Sequence, residues 1–180
     1  MALREVLQFP DPRLKRVSEP IEEVTSDLRD LAHDMCEVMY DEPGIGLAAP
    51  QVGEAVRLIV VDTEWTDDDA ERNPLVVLNP VLSKTEGKVT WNEGCLSVPD
   101  FTADVERFEK LTLTGTDLDG NPIEEQAEGL RAVCFQHEVD HLDGVLFIDR
   151  ISRLKRMMYT KKRKKQLRFE EDEAGGGSRP

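Results

Sequence analysis

The chain has 180 residues and a net charge of −14, with 39% hydrophobic and 33% charged residues. This length suffices for one domain with a buried core, and this balance argues against a disordered chain. No run approaches the ~18 apolar residues of a membrane helix, and the N-terminus lacks the features of a signal peptide, so we expect a cytoplasmic protein without membrane contact. The three cysteines are odd in number and far apart, which argues against a disulfide framework.

Residues 25–40 form the first predicted helix, and Thr25 or Ser26 can cap its first turn. Apolar side chains recur there at helical spacing and predict one buried face. They are Leu28, Leu31, Met35, Val38 and Met39. His33 lies off this face and is interpreted as a surface residue without a role. The helix should end near Pro43.

The middle of the chain is predicted to be rich in β-strands. Apolar or alternating runs indicate strands at residues 57–61, 75–82 and 111–115. Residues 117–122 (DLDGNP) are a strong turn signal, and a returning strand should follow them. The acidic residues 65–73 are predicted to form a loop between strands.

Two further helices are predicted towards the C-terminus. Residues 130–142 have the pattern of a largely buried helix, and residues 150–168 that of a basic helix. We expect residues 1–168 to form a single domain and residues 169–180 to be a disordered tail. Helices separated from β-rich segments indicate the α+β class.

The charge is unevenly distributed along the chain. Residues 150–168 contain ten Lys or Arg and no acid, whereas residues 1–149 contain 12 basic and 33 acidic residues. An acidic body therefore carries a basic helix. Such a helix is either a solvated surface or a contact for RNA or another polyanion.

Residues 137–141 (HEVDH) match the pattern H-E-x-x-H. On a helix, His137 and His141 lie on one face, one turn apart, and can direct two imidazoles at one divalent ion. Glu138 lies beside them, where it can exchange a proton with a water on that ion. The pattern therefore indicates a catalytic metal site.

A catalytic site of this kind needs a third protein ligand. The metzincin pattern would place a histidine at position 147, where this chain has Phe147. Cys134 is three residues before His137 and shares roughly the same helical face. Cys95, beside a glycine in a loop or at a strand end, could reach the same ion from another element. Spacing alone leaves both cysteines open.

Three segments resemble the three motifs of the peptide deformylases. They are residues 44–53 (GIGLAAPQVG), residues 93–97 (EGCLS) and residues 136–141 (QHEVDH), in the family's order and approximate spacing. Residues 9–14 (FPDPRL) also resemble the family's N-terminus. The resemblance covers about residues 4–150. It implies one catalytic domain of the α+β class, with antiparallel or mixed sheets packed around a central helix that carries H-E-x-x-H, and with one additional helix towards each terminus.

The resemblance also implies a reaction, the removal of the formyl group from the N-terminal methionine of newly synthesised polypeptides, with release of formate. A metal-bound water would be the nucleophile, and Glu138 would act as general acid and base. The Gln51 side-chain amide and the Leu96 backbone N–H would stabilise the oxyanion. The family's metal ligands correspond to Cys95, His137 and His141.

The resemblance further implies which residues surround the substrate. Gly46 would let the peptide approach the backbone closely, although the glycine-rich run alone is typical of a turn after the first helix. The family's methionine pocket corresponds to four residues whose apolar character ordinary core packing would also explain. They are Ile45, Leu130, Val133 and Cys134.

Two more expectations concern residues around the site. The resemblance implies that Glu93 and Arg107 form an ion pair that holds the segment of Cys95, and partners of this kind orient metal ligands. Thr102 stands where some family members carry an arginine that helps to bind substrate, so this chain lacks that contact.

Two imidazoles and a thiolate suit zinc, iron, nickel or cobalt, and the resemblance implies Fe(II) in the cell, replaced by Zn(II) or Ni(II) on purification. The expected partners are N-formyl-Met nascent peptides and, through the basic helix, the ribosome. We expect a monomer. Three other functions are the alternatives to a deformylase. A zinc protease is disfavoured by Phe147, and a non-catalytic binding module is disfavoured by the intact motifs. A structural zinc site would need four protein ligands.

Overall fold

Three α-helices, three short 3-10 helices and seven strands make up the computed structural model, which describes residues 4–65 and 70–175. The helices are α1 (Ser26–Asp41), α2 (Gly129–Leu142) and α3 (Arg153–Gly175). The strands are β1 (Gly46–Ala48), β2 (Leu58–Val61), β3 (Leu75–Glu86), β4 (Val89–Cys95), β5 (Val98–Arg107), β6 (Lys110–Thr116) and β7 (Pro122–Glu128). Over the described residues, no helix is both long enough and apolar enough to cross a membrane.

Helix α1 forms as the sequence predicts. The Thr25 side chain accepts a hydrogen bond from the Leu28 N–H (3.2 Å) and so caps the first turn. All five side chains of the predicted apolar face are buried, and His33 is exposed. The buried face packs against residues of β1 and β2, so α1 covers one side of the sheet.

Five strands form one antiparallel sheet in the order β1-β2-β3-β6-β7. Strands β2, β3 and β6 correspond to the three predicted runs, and the predicted turn of residues 117–122 leads into the returning strand β7. Gly115 is required where β6 passes β3, because a Cβ there would lie 2.5 Å from Val77 Cγ1 and 2.8 Å from the Leu78 carbonyl oxygen. The predicted loop of residues 65–73 lies partly outside the described residues.

Strands β4 and β5 form a separate antiparallel hairpin that the sequence did not predict. Strand β4 contains Asn92 and Gly94, and both residue types are depleted in strands, which explains the omission. Its register is interrupted between Glu93 and Cys95, where the hairpin turns. The hairpin thereby places Cys95 at the end of a strand.

Helix α2 is central to the fold and contacts all five strands of the larger sheet. Phe135 and Leu142 pack against Ile59, Val61 and Val77 on that side. A second cluster, which includes Phe147 beyond the end of α2, packs against the hairpin β4–β5. The predicted α+β architecture around a central H-E-x-x-H helix is therefore confirmed.

Helix α3 lies mostly on the surface, and Tyr159 and Arg163 anchor it. The Tyr159 hydroxyl donates to the Pro99 carbonyl oxygen (3.2 Å), and the Arg163 guanidinium donates to the Phe9 carbonyl oxygen (3.2 Å). The helix begins at Arg153 rather than at residue 150.

The end of α3 corrects a prediction. The helix continues to Gly175, so the prediction of a disordered tail from residue 169 is wrong as far as that residue. The physical reason is that Glu170 and Glu171 are good helix formers, and Glu170 also lies 3.9 Å from the Arg163 guanidinium. Residues 176–180 lie outside the described residues.

Candidate metal-dependent active site

A cavity of about 400 Å³ lies beside helix α2. Its walls come from three parts of the chain: the segments on both sides of β1, strand β4 with the turn that follows it, and one face of α2. All five residues predicted to contact the substrate line it. They are Ile45, Gly46, Leu130, Val133 and Cys134.

Three ligand atoms converge beside this cavity. Cys95 ends β4, and His137 and His141 lie one turn apart on α2. His141 Nε2 is 3.3 Å from Cys95 Sγ and 3.2 Å from His137 Nε2, and all three ligand atoms lie within 4.8 Å of one another. Ligands held by one ion at about 2.0–2.3 Å in a tetrahedral arrangement are roughly 3.3–3.6 Å apart. The three residues therefore fit one divalent ion.

The two histidines differ in their surroundings. Burial, reinforced by the nearby His137, lowers the pKa of His141 well below its usual value, which favours the neutral imidazole that binds metal ions. His141 Nδ1 is buried and has no hydrogen-bond partner among the described residues. Burial would also lower the pKa of His137, but the Cys95 sulfur and the Glu93 carboxylate outweigh it and raise that pKa.

Glu93 orients His137 from behind. His137 Nδ1 lies 2.8 Å from Glu93 Oε2, and the Arg107 guanidinium donates to both carboxylate oxygens of Glu93 through Nε (2.6 Å) and Nη2 (2.9 Å). Burial alone would raise the pKa of Glu93, but the hydrogen bonds from Arg107 and His137 outweigh it and lower that pKa to about 2. The carboxylate is therefore charged, and it fixes the imidazole with its Nε2 towards Cys95.

Glu138 lies in the cavity wall and is buried. Its Oε2 has no hydrogen-bond partner among the described residues. Burial raises the pKa of Glu138 to about 7, so the side chain can both accept and release a proton near neutrality. A Cβ at Gly46 would lie only 2.5 Å from Glu138 Oε1 and 2.8 Å from Cys134 Sγ. Gly46 thus provides the space that this carboxyl occupies.

The Gln51 side-chain amide has a fixed orientation. Its Oε1 accepts from the Ala48 N–H (2.9 Å), and its Nε2 donates to Ser97 Oγ (3.1 Å) and lies 3.6 Å from Cys95 Sγ. The amide N–H groups therefore face the ligand cluster. Leu96 follows Cys95 directly and also lines the cavity.

Comparisons with known proteins agree with this geometry. Residues 3–157 match the sequence model of the polypeptide deformylase family. The chain belongs to the peptide deformylase family. It is 48% identical to a peptide deformylase of Alkalilimnicola ehrlichii over 98% of this chain and 97% of that protein, and 52% identical to one of Afipia carboxidovorans over 90% and 94%.

Solved deformylase structures are also similar. A peptide deformylase from Legionella pneumophila superposes with a TM-score of 0.85 at 43% identity, covering 94% of this chain and 98% of the other. A peptide deformylase from Ehrlichia chaffeensis in complex with actinonin gives a TM-score of 0.85 at 36% identity, covering 92% and 98%. The predicted fold and activity are confirmed: the chain is a hydrolase that removes the N-terminal formyl group from newly synthesised peptides, and its family is metal-dependent.

Several residues in or beside this cavity were missed by the sequence analysis. Trp91 lines the cavity, and Ser97 holds Gln51. Asp140, the residue before the second histidine, is buried and accepts hydrogen bonds from Arg107 and Arg150. An acid on a helix normally faces water, so nothing in its local sequence indicated a buried position.

Three predicted residues lie outside the cavity wall. His141 and Arg107 are buried behind it. Thr102 is exposed on β5, and its Cγ2 would lie 3.4 Å from a Cβ added at Gly94. Phe147, at the position where a metzincin has its third histidine, is 1% exposed and packs in the core with its ring 6.2 Å from that of His137.

Proposed function

We propose that deformylation takes place in this cavity, with Cys95, His137 and His141 as ligands of one divalent ion and Glu138 as general acid and base. The observation that carries the proposal is the convergence of the three ligand atoms beside a buried carboxyl that lacks a hydrogen-bond partner among the described residues. Other buried carboxylates on or next to α2 are paired, so this one is free to move a proton.

A divalent ion bound by these residues supplies Lewis-acid activation of water and of the formyl carbonyl group. The chain itself supplies the proton transfer. With a pKa of about 7, Glu138 accepts the proton of the attacking water and later delivers it to the leaving nitrogen. The space left by Gly46 keeps the carboxyl in the cavity wall, next to the position of the formyl group.

The oxyanion of the tetrahedral intermediate is stabilised by two donors from the chain. They are the Nε2 amide of Gln51, which is oriented by its hydrogen bonds to Ala48 and Ser97, and the backbone N–H of Leu96. Because Gln51 is oriented before the reaction begins, it need not reorganise when the charge develops. One such donor commonly lowers the barrier by about 3 kcal/mol.

The methionine side chain of the substrate enters the apolar part of the cavity. Its walls are formed by Ile45, Leu130, Val133 and Cys134. The Cys134 thiol donates to the Ile45 carbonyl oxygen (3.6 Å) and lies outside the cluster of three ligand atoms, so it serves as a pocket wall rather than as a metal ligand. Burial raises its pKa well above the usual value, in keeping with a neutral thiol. Thr102 offers no guanidinium to the peptide beyond the methionine, so recognition depends mainly on the formyl-methionyl end.

The first experiment is a formate assay. Protein reconstituted anaerobically with Fe(II) or Ni(II) should release formate from a formyl-Met peptide and lose this activity with a chelator. The matched acetyl-Met peptide, which carries one extra methyl group at the scissile acyl carbon, should be cleaved far more slowly. If the metallated protein releases no formate, the proposal fails.

The resident ion is proposed to be Fe(II), with Zn(II), Ni(II) or Co(II) as substitutes that the same two imidazoles and thiolate accept. Fe(II) beside the Cys95 thiolate is sensitive to oxygen. Activity of the iron form should therefore decay in air, whereas that of the nickel form should persist. Equal decay of both forms would contradict an iron-specific loss.

We also propose that the chain acts as a cytoplasmic monomer that docks on the ribosome through α3. Support comes from the exposed basic face of this helix, which includes Lys161, Lys164 and Arg168. Replacing these three residues by Gln should weaken ribosome binding and reduce its salt dependence. A control that neutralises Lys84, Lys88 and Lys110 on the body should bind like the parent protein, and equal weakening by both triple variants would refute docking through α3.

A further inference from the structure

Asp140 lies on α2 between the two metal-binding histidines, and it is buried. It accepts from two guanidinium groups: Arg107 Nη1 at 2.7 Å, and Arg150 through Nε at 2.5 Å and Nη2 at 2.6 Å. We infer that Arg150 is a positioning residue of the active site, which neutralises Asp140 so that Arg107 can hold Glu93, and through Glu93 His137, in the geometry that binds the ion. This inference rests on the proposed ligand set.

The contacts form a continuous chain from the surface to the ligand. Arg150 is paired with Asp140, Asp140 with Arg107, Arg107 with Glu93, and Glu93 with His137 Nδ1 (2.8 Å). Both oxygens of Glu93 are occupied by Arg107, and Oε2 also accepts from His137. A shift of Arg107 therefore changes the orientation of an imidazole that binds the ion.

The charges explain why a second arginine is needed. Glu93 and Asp140 are two buried carboxylates, and Arg107, with a side chain 2% exposed, lies between them. A single guanidinium cannot neutralise both. Arg150 supplies the second positive charge and a bidentate contact, so the group of four side chains is neutral. Without Arg150, Asp140 would compete with Glu93 for Arg107.

The backbone around Arg150 is fixed independently of this contact. The Arg150 N–H donates to the Phe147 carbonyl oxygen (3.0 Å) at the end of a short 3-10 helix, Phe147–Asp149. The Asp149 carboxylate accepts from the Leu146 N–H (2.9 Å) and pairs with Lys15 and with Arg156 (2.9 Å). Removal of the Arg150 guanidinium should therefore leave the chain path intact.

The expected effect is moderate, because the Arg150 side chain is 43% exposed and solvent screens its charge. Direct partners of metal ligands commonly contribute 10–100-fold to metal affinity. Arg150 acts on His137 through three intervening residues, so we expect the dissociation constant for Zn(II) to rise by roughly 3–10-fold in Arg150→Met. Arg150→Lys keeps the charge but not the bidentate contact. Its affinity for Zn(II) should therefore lie between that of Arg150→Met and that of the parent protein.

The test is a competition titration of the apo-protein with Zn(II) and a chelating indicator. The control is Arg153→Met, which removes a positive charge three residues away; Arg153 has no ion pair among the described residues. It should bind Zn(II) like the parent protein. Thermal unfolding of each apo-protein is measured in parallel, since a merely structural role would lower the apo-protein's melting temperature without weakening Zn(II) binding.

A second comparison, made in the Asp140→Asn variant, tests whether Arg150 acts through Asp140. In Asp140→Asn the acid that Arg150 neutralises is gone, so adding Arg150→Met should change Zn(II) affinity by less than about twofold. The inference is overturned if Arg150→Met binds like Arg153→Met, or if it weakens binding equally in both backgrounds. Should Asp140→Asn not fold, the comparison of Arg150→Met, Arg150→Lys and Arg153→Met decides alone. Failure of the parent protein itself to bind Zn(II) would instead reject the proposed ligand set.

Discussion

Helices α2 and α3 both carry many polar residues, yet α2 lies in the interior beside the candidate active site and α3 lies mostly on the surface. In α2, Glu138, Asp140 and His141 are buried, whereas in α3 the two buried residues, within its described side chains, are Tyr159 and Arg163. The basic run of α3 already indicates a surface, but the polar residues of α2 do not by themselves indicate a buried site. What distinguishes them is whether other elements supply a partner for each polar side chain.

Most polar groups of α2 have such partners. Gln136 donates to and accepts from the backbone of Phe108, and Asp140 binds two arginines. Two atoms of α2 are the exceptions among the described residues, Glu138 Oε2 and His141 Nδ1. Unpaired buried groups are costly, so they mark the position where reactants or further partners are expected.

The largest expected effect is that of Arg107→Met. It leaves Glu93 and Asp140 as buried carboxylates with reduced compensation, and breaking a buried pair in this way costs about 3–5 kcal/mol of unfolding free energy. Chemical denaturation measures this cost. Lys88→Met, which removes an exposed partner of Glu106, should change it by less than about 0.5 kcal/mol. A cost below about 1 kcal/mol for Arg107→Met would show that α2 does not depend on its buried partners.

Gly46→Ala should impair catalysis more than stability. The added Cβ would collide with the Glu138 carboxyl and the Cys134 sulfur, and a displacement of a reacting group by about 1 Å can cost on the order of 100-fold in rate. Steady-state formate release measures the loss. Gly94→Ala also adds a methyl group to the cavity wall, but its nearest contact is 3.4 Å, so its loss should be smaller. Equal rates for the two variants would contradict the role of Gly46.

Asp62 tests whether neutral hydrogen-bond donors alone can stabilise a buried carboxylate without a paired cation. Its carboxylate accepts from the Tyr40 hydroxyl (2.6 Å) and from backbone N–H groups that include those of Trp65 and Asn73. Burial alone would raise the pKa of Asp62, but these hydrogen bonds outweigh it and lower that pKa. The charged form therefore stabilises the fold above the usual pKa of an aspartate, and this stability is lost as the pH falls through the lowered pKa.

Asp62→Asn should accordingly cost about 1.5–3 kcal/mol near neutrality, and the difference from the parent protein should shrink below roughly pH 4. Denaturation at a series of pH values measures it. The control Asp104→Asn alters an exposed acid that pairs with Asn92, and its effect should stay within about 0.5 kcal/mol. A difference that grows on acidification would contradict the sign of the pKa shift.

Substitutions on the exposed face of α3 should have the smallest effect on stability and activity. Replacing Lys161, Lys164 and Arg168 by Gln should change the unfolding free energy by less than about 0.5 kcal/mol and leave formate release unchanged, because these side chains are exposed. Thermal unfolding and the formate assay measure both. A large loss of stability would show that α3 resembles α2 more than its exposure indicates.

The sequence predicts the parts of the fold and site that depend on local spacing. The cap at Thr25 and the buried face of α1 follow from residue types and a period of 3.6, and the pairing of His137 with His141 follows from the same geometry. The third predicted ligand could not be derived in this way, because Cys95 reaches the cluster from a hairpin far away in sequence. The family resemblance indicated it.

What the sequence could not predict depends on long-range pairing. The pairing of Glu93 on β4 with Arg107 on β5 came only from the family resemblance, because residue spacing does not place the two strands side by side. Asp140 and Arg150 likewise resemble surface charges until folding brings Arg107 of β5 and the segment after α2 next to each other. The tail from residue 169 was predicted to be disordered from its acidic composition, although its glutamates favour the helix that forms.

The central claim is that α2 provides both the ligands of the ion and the separate group that moves the proton. Glu138→Gln tests it most directly, with metal content and formate release measured on the same sample. The variant should bind one ion per chain like the parent protein and release formate at least about 100-fold more slowly. A variant that keeps the ion and retains activity within tenfold of the parent protein would contradict the claim.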